Sequence, residues 1–212
     1  WPDIAGLREA KRDMARRLAG RGYSVFVANP YYRDRSGEIW ESFAQFAANE
    51  GFAQAREYRA KLSSDAVMRD ATAIVEWLDA QSEVDTTKDI GTQGYCMGGP
   101  FTFYTAAASN RIGAVASFHG GGLVREDADS PSKLFARATY ADYLVAIAQD
   151  DHAEEPQNLE DLRIAASNAE VSAKIEVYAG DHGWTVPDSP AYAEAAAERA
   201  WADLLALYEG AL

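Results

Sequence analysis

Short apolar segments recur along the chain, and segments with helical patterns separate them. Most of the apolar segments are continuous rather than alternating, which is typical of strands in a parallel sheet that helices cover on both faces. The pattern therefore predicts five strands, which are Tyr23–Asn29, Asp89–Tyr95, Gly113–Phe118, Tyr143–Ala148 and Lys174–Ala179.

The intervening segments carry apolar residues three or four positions apart, as one face of a helix requires. One such stripe runs over Leu7–Leu18, and another over Val67–Leu78 follows the capping residue Ser63. A last helix is predicted after Pro190. Alternating strands and helices predict an α/β fold with a doubly wound, mostly parallel sheet. We expect one domain over residues 1–212.

Composition and charge exclude several classes of protein. The net charge is −13 and no run of Lys or Arg could follow a phosphate backbone, so we expect no nucleic-acid partner. No apolar run approaches the roughly 18 residues of a membrane span, and no signal peptide is visible. A single cysteine cannot form an internal disulfide, which favours a cytoplasmic protein. The chain begins with Trp1 rather than Met, so we expect it to be incomplete at its N-terminus.

The most informative motif is Gly-Tyr-Cys-Met-Gly-Gly at residues 94–99, which contains the only cysteine. It lies between a predicted strand and a predicted helix with Pro100 near its first turn, as a nucleophile elbow does. Glycines around Cys96 allow the sharp turn, and the helix N-terminus favours a thiolate. A buried structural cysteine is the alternative, but the flanking glycines favour a nucleophile.

A thiol nucleophile needs a base and an acid that orients the base. His182 follows the last predicted strand, at the edge of the sheet where open α/β sheets bind ligands. Asp150 and Asp151 follow the preceding strand, and both cannot point at one imidazole. We prefer Asp151. His119 also follows a strand, and we place it on a loop near the rim of the site without a direct role.

The oxyanion that forms on the attacked carbonyl needs two N–H donors. Met97 follows the nucleophile and supplies the first. The second comes from a loop that precedes a helix near the start of the chain, and its position in the chain points to Ile4.

Two alternatives belong to other classes of protein. A class I glutamine amidotransferase also uses an elbow cysteine, and His152 and Glu154 have its His-x-Glu spacing. A thiol redox sensor or binding module would need a reactive cysteine but neither the histidine nor the aspartate. Replacing His182 separates these alternatives, because hydrolysis depends on His182, an amidotransferase depends on His152, and a sensor depends on neither.

Four segments, at residues 18–25, 29–33, 94–99 and 178–184, resemble motifs of the dienelactone hydrolase family of α/β-hydrolases, and the resemblance extends over nearly the whole chain. It implies the α/β-hydrolase fold, with further strands before residue 1. It also implies hydrolysis of small esters or lactones by a Cys–His–Asp triad, through a thioacyl-enzyme and without a cofactor or a metal. We expect a monomer or a small homo-oligomer.

The resemblance assigns two further residues by position. Asp3 stands where the family has a glutamate that activates the thiol, although aspartate is one methylene shorter. Arg33 stands where the family has an arginine that binds the substrate carboxylate, and Trp184 is a further candidate for substrate binding. A second carboxylate-binding arginine is absent, because that position is Val186. Hydrolysis of esters or lactones in general is therefore a firmer expectation than hydrolysis of a dienelactone.

Overall fold

The computed structural model describes residues 1–212, and at its centre lies a sheet of four parallel strands in the order β1-β2-β3-β4. Four predicted strands are confirmed to within one residue at each end. All four run in the same direction, so their carboxyl ends lie along one edge of the sheet. The strands are β1 (Ile90–Tyr95), β2 (Ile112–Phe118), β3 (Asp142–Ala148) and β4 (Ala173–Tyr178).

Nine α-helices connect and cover the strands. Ser63 caps α4 by accepting a hydrogen bond from the N–H of Ala66, as the sequence predicts. None of the helices combines the length and the apolar character that crossing a bilayer requires. The helices are α1 (Glu9–Ala19), α2 (Phe43–Ala48), α3 (Gly51–Arg59), α4 (Ser64–Asp79), α5 (Gly99–Ala108), α6 (Pro131–Leu134), α7 (Gln149–Glu154), α8 (Gln157–Asn168) and α9 (Glu194–Ala211).

Each face of the sheet has its own hydrophobic core, because successive side chains of a strand point to opposite faces. On one face Val115 and Val145 pack in a cluster with residues of α4, α5 and α8. On the other face Leu144 and Tyr178 pack with residues of α1 and α9. The predicted doubly wound arrangement is therefore confirmed.

The first predicted strand, Tyr23–Asn29, is wrong, since these residues form neither helix nor strand. A strand needs a neighbour about 4.8 Å away, and a mainly apolar groove of about 510 Å³ separates this segment from β1. Trp1 bonds to the open edge of β1, donating its amino group to the Gln93 carbonyl (2.7 Å) and accepting from the Tyr95 N–H (3.2 Å). The apolar pattern of the segment is typical of a strand, but the segment has no neighbouring strand with which to form backbone hydrogen bonds.

Candidate active site

Cys96 lies directly after β1 in a left-handed backbone conformation, with φ of 53°. A non-glycine residue adopts this conformation at a cost, and such strain is concentrated at functional sites. The glycines around Cys96 are required because a side chain at these positions would collide with the main chain. A Cβ on Gly94 would lie 2.0 Å from the Gly98 carbonyl oxygen, and a Cβ on Gly98 would lie 2.4 Å from the Trp1 carbonyl oxygen. The elbow therefore holds a partly exposed thiol at the N-terminus of α5, where a short 3-10 turn (residues 96–98) leads into the helix.

His182 and Asp151 meet at the carboxyl edge of β3 and β4. The His182 Nδ1 lies 2.8 Å and 3.0 Å from the two carboxylate oxygens of Asp151. Asp150 serves a different purpose, because its Oδ1 accepts the backbone N–H of His182 at 2.8 Å and that of Asp151 at 3.0 Å. The first aspartate thus holds the backbone of the loop, and the second holds the imidazole.

The electrostatics of His182 favour its charged form. Burial by itself lowers the pKa of the imidazole, but hydrogen bonds to Asp151 and to the Cys96 sulfur outweigh burial and raise the pKa to about 10. Because Nδ1 faces Asp151, Nε2 is the nitrogen left for the sulfur. The structure therefore brings together the three residues that the sequence predicts as nucleophile, base and acid.

The predicted oxyanion turn, residues 3–6, directly follows Trp1 and Pro2, whose carbonyl oxygens pack against Gly98 of the elbow. Within this turn the N–H of Ala5 bonds to the Asp3 side chain (3.0 Å) and that of Gly6 bonds to the Asp3 carbonyl (2.9 Å). The N–H of Ile4 has no acceptor in the protein. Gly6 has φ of 72°, which favours glycine and lets the chain turn into α1.

Tyr31 connects the two residues that are predicted to supply the oxyanion donors, a role that the sequence pattern does not predict. Its buried hydroxyl donates to the Ile4 carbonyl at 2.7 Å and contacts the Met97 sulfur at 3.5 Å. Burial, with smaller effects from the nearby Asp3 and Cys96 side chains, raises the pKa of the phenol, which keeps it a hydrogen-bond donor. Only its place in the Asn-Pro-Tyr-Tyr-Arg segment at residues 29–33 could have singled it out.

Asp3 does not lie where the resemblance places it, against the thiol. Its carboxylate is buried and binds the Arg8 guanidinium (2.7 Å and 3.0 Å) and the Lys11 ammonium (2.8 Å). Burial acts to raise the pKa of Asp3, but Lys11 and Arg8 outweigh it and hold the pKa well below its usual range. The shorter side chain is thus committed to two buried cations, and the predicted contact with Cys96 is absent.

Arg33 and Trp184 also have other partners than a substrate. The Arg33 guanidinium forms a bidentate pair with Asp70 on α4, at 2.7 Å and 2.8 Å, which is the surface salt bridge that competed with its predicted role. Trp184 is completely buried and packs against Tyr178 and His119, so it cannot contact a substrate. The structure therefore shows no contact that supports either substrate-binding role, and both stay predictions.

His119 is buried behind the candidate base instead of lying on the rim. Its ring meets the edge of His182 with a centroid separation of 5.1 Å, and its Nε2 is 2.8 Å from the Thr185 hydroxyl. Burial, followed by the positive charges of His182 and Lys11, lowers its pKa well below 6.5, so the ring is neutral. His119 therefore packs as an uncharged ring against the imidazole of His182.

His152 and Glu154 lie on α7, and the buried Nδ1 of His152 has no hydrogen-bond partner. The histidine that faces the sulfur is His182. The arrangement therefore gives no support to the His-x-Glu pair of an amidotransferase.

Comparison with known proteins places this site in a family. A profile of the dienelactone hydrolase family matches residues 1–212. A protein named putative carboxymethylenebutenolidase from Escherichia coli (strain K12) is 25% identical over 206 residues, which cover 96% of this chain and 72% of that protein. A protein of the same name from Yersinia pestis is 24% identical over 207 residues, which cover 96% and 73%.

Solved structures agree on the fold. A putative dienelactone hydrolase from Klebsiella pneumoniae subsp. pneumoniae MGH 78578 superposes with a TM-score of 0.80 at 24% identity, covering 98% of this chain and 84% of that chain. A dienelactone hydrolase-like promiscuous phosphotriesterase from metagenomic libraries gives 0.73 at 23% identity, covering 99% and 84%. The chain belongs to the dienelactone hydrolase family and is an ester or lactone hydrolase with the α/β-hydrolase fold.

Proposed function

We propose that Cys96 is the nucleophile of this hydrolase, with His182 as the proton carrier and Asp151 as the group that orients it. The observation that carries the proposal is the position of the imidazole. Its Nδ1 is held 2.8 Å from Asp151, and the Cys96 sulfur at the strained elbow is close enough to help raise the pKa of the ring. Such a pair supplies thiolate and imidazolium together, which is the reactive form of a thiol nucleophile.

In the first half-reaction the thiolate attacks the carbonyl carbon of an ester or lactone, and the carbonyl oxygen becomes an oxyanion. The N–H groups of Ile4 and Met97 are the proposed donors to it, and the free N–H of Ile4 supports this assignment. The tetrahedral intermediate then collapses, the C–O bond breaks, and the His182 imidazolium gives its proton to the leaving oxygen. A thioacyl-enzyme and an alcohol result, and with a lactone the alcohol stays attached to the acyl group.

In the second half-reaction the neutral imidazole takes a proton from water, and the hydroxide attacks the thioester. The C–S bond breaks, the acid is released, and thiolate and imidazolium form again. Asp151 stabilises the imidazolium in the resting enzyme and fixes the tautomer of the neutral ring between the two half-reactions.

The proposed substrates are small esters or lactones without a required carboxylate. Asp70 neutralises Arg33, and a buried Val186 stands at the position of the second arginine. The net charge of −13 also repels anions at low ionic strength. We expect a neutral substrate and its carboxylated analogue to differ in kcat/KM by less than about tenfold, which corresponds to about 1.4 kcal/mol.

The test uses p-nitrophenyl acetate and a simple neutral lactone with the wild-type enzyme and Cys96→Ala. We expect the wild type to turn over both substrates and to carry one acetyl group on Cys96 in a quenched mass spectrum. Cys96→Ala should retain less than about one percent of kcat, as expected for loss of a covalent nucleophile. Retention of more than a few percent, or an acetyl group on another residue, contradicts the assignment.

Replacing the base separates this proposal from the other classes. His182→Ala should lose hydrolysis and should form the acyl-enzyme only slowly. If instead the variant keeps its hydrolytic rate and His152→Ala loses it, the base is His152. A cysteine that reacts with peroxide but not with either substrate would indicate a thiol sensor.

A further inference from the structure

Arg8, at the N-terminus of α1, has a completely buried guanidinium whose five N–H groups all have acceptors. Two bond to the Asp3 carboxylate (2.7 Å and 3.0 Å), and one bonds to the Gly6 carbonyl (3.2 Å). The remaining two bond to the Asp188 carboxylate, both at 2.8 Å. The planar group thus joins two carboxylates, one on each side.

The two carboxylates belong to two different segments of the site. Asp3 begins the turn that leaves the Ile4 N–H free. Asp188 ends the loop that starts at His182, and its Oδ2 also accepts the N–H of Phe43 at the start of α2, at 2.8 Å. Arg8 is therefore the link between the segment of the proposed oxyanion donor and the segment of the proposed base.

Stability alone is a poor explanation for this cluster. Taking a guanidinium out of water costs several kcal/mol, and replacing buried ion pairs by apolar residues is often neutral or stabilising. A rigid bidentate fork does provide what apolar packing lacks, which is a fixed distance and orientation between the groups that it joins.

We propose that Arg8 is a positioning residue, which holds the turn of residues 3–6 at a fixed distance from the loop of residues 182–188. The N–H of Ile4 then stays where the oxyanion forms, relative to a His182 that Asp150 and Asp151 hold in place. This inference rests on the proposed function, since it assigns a task to the oxyanion turn. Arg8 itself touches neither the substrate nor the reacting atoms.

Two reactions of the same sulfur test the proposal. Alkylation of Cys96 by iodoacetamide needs the thiolate but creates no oxyanion, whereas acylation by p-nitrophenyl acetate needs both. Arg8→Lys keeps the charge and the stem but loses the fork, so one amine cannot join both carboxylates. We expect its acylation rate to fall by about 30- to 100-fold, below the full loss of an oxyanion donor. Its alkylation rate and the pH profile of alkylation should change by less than about threefold, because Asp151 and Asp150 still hold His182.

Arg111→Lys is the matched control. Arg111 also forms a bidentate pair, with Asp79 at 2.9 Å and 3.2 Å, but it lies before β2 at the opposite edge of the sheet. Its ratio of acylation to alkylation should equal that of the wild type. Asp188→Asn is the second variant, in case Arg8→Lys does not fold, because the Asp188 side chain is partly exposed and tolerates the change. Asp188→Asn weakens only the link between Arg8 and the loop of residues 182–188, so the ratio of acylation to alkylation should fall about tenfold.

Thermal melts establish that each variant is folded. The proposal is overturned if folded Arg8→Lys has the wild-type ratio of acylation to alkylation. If Arg8→Lys does not fold, the same result with folded Asp188→Asn overturns it. Equal losses of both rates also overturn it, because Arg8 would then act on the thiolate or on the fold as a whole. If the wild type itself forms no acyl-enzyme, the proposed function fails first and the role of Arg8 falls with it. That outcome is visible before any substitution is made.

Discussion

The proposed reacting half of the site and its predicted substrate-facing half differ in how the fold builds them. Cys96 follows β1 directly, Asp151 and His182 follow β3 and β4 within four residues, and the sheet brings the three strand ends together. The two residues that are predicted to contact the substrate lie in connecting segments, where each has another partner. Arg33 pairs with Asp70, and Trp184 is packed in the core. Position relative to a strand end is therefore a better guide to chemistry here than position in a motif.

The largest effect should come from the acid of the reacting half. Asp151→Asn presents an amide to His182 Nδ1 and favours the wrong tautomer, so kcat should fall by about 10³- to 10⁴-fold. Asp150→Asn is the matched control, since its amide oxygen still accepts the N–H of His182, and we expect less than a tenfold loss, about the value of one neutral hydrogen bond. Steady-state kinetics on p-nitrophenyl acetate checks both, and reversed effects would assign the role to Asp150.

Replacing Trp184 tests whether this predicted substrate-binding residue instead stabilises the core. Because its ring is completely buried, Trp184→Ala should lower the free energy of unfolding by about 3–5 kcal/mol. Trp77→Ala removes a half-exposed ring of the same size and should cost well under that, about 1 kcal/mol. Urea unfolding measures both. A Trp184→Ala protein of normal stability with a raised KM would restore the substrate-binding role.

The pH dependence of stability tests the electrostatics of His182. Its pKa is raised from 6.5 to about 10 in the folded protein, so folding takes up protons between these values. The stabilising contribution is fully present below about pH 6.5 and is lost as the pH rises towards about 10. The difference in unfolding free energy between the wild type and His182→Gln should therefore narrow from pH 6 to about pH 9.5. A difference that widens over this range would contradict the raised pKa.

The smallest effect should come from Arg33. A partly exposed ion pair contributes about 0–1 kcal/mol of binding free energy, and the Arg33 guanidinium is already paired with Asp70. In Arg33→Ala the ratio of kcat/KM for a carboxylated substrate to that for its neutral analogue should change by less than about threefold. A hundredfold wild-type preference for the carboxylated substrate that is lost in Arg33→Ala would show that Arg33 binds the substrate carboxylate.

Most of the sheet and the reacting half could be predicted because their signals are local. Continuous apolar runs identified four strands, and glycines around Cys96 identified the elbow. The segment Tyr23–Asn29 has the same pattern, but its state depends on a neighbour that pattern does not encode. Arg8 gave no signal, because an arginine at the start of an amphipathic helix normally points to solvent. Only its tertiary partners, Asp3 and the distant Asp188, account for its burial.

The close contacts of the elbow have a genetic consequence. The positions of Gly94 and Gly98 leave no room for even a methyl group, with main-chain oxygens 2.0 Å and 2.4 Å from where it would stand. Every single-base change of a glycine codon that alters the amino acid adds at least that methyl group or ends the chain. In a random-mutagenesis library, nearly all missense alleles at these two codons should therefore score as null, although none of them alters a reacting atom. The mutational target for inactivation is wider than the three residues that are proposed to carry out the chemistry.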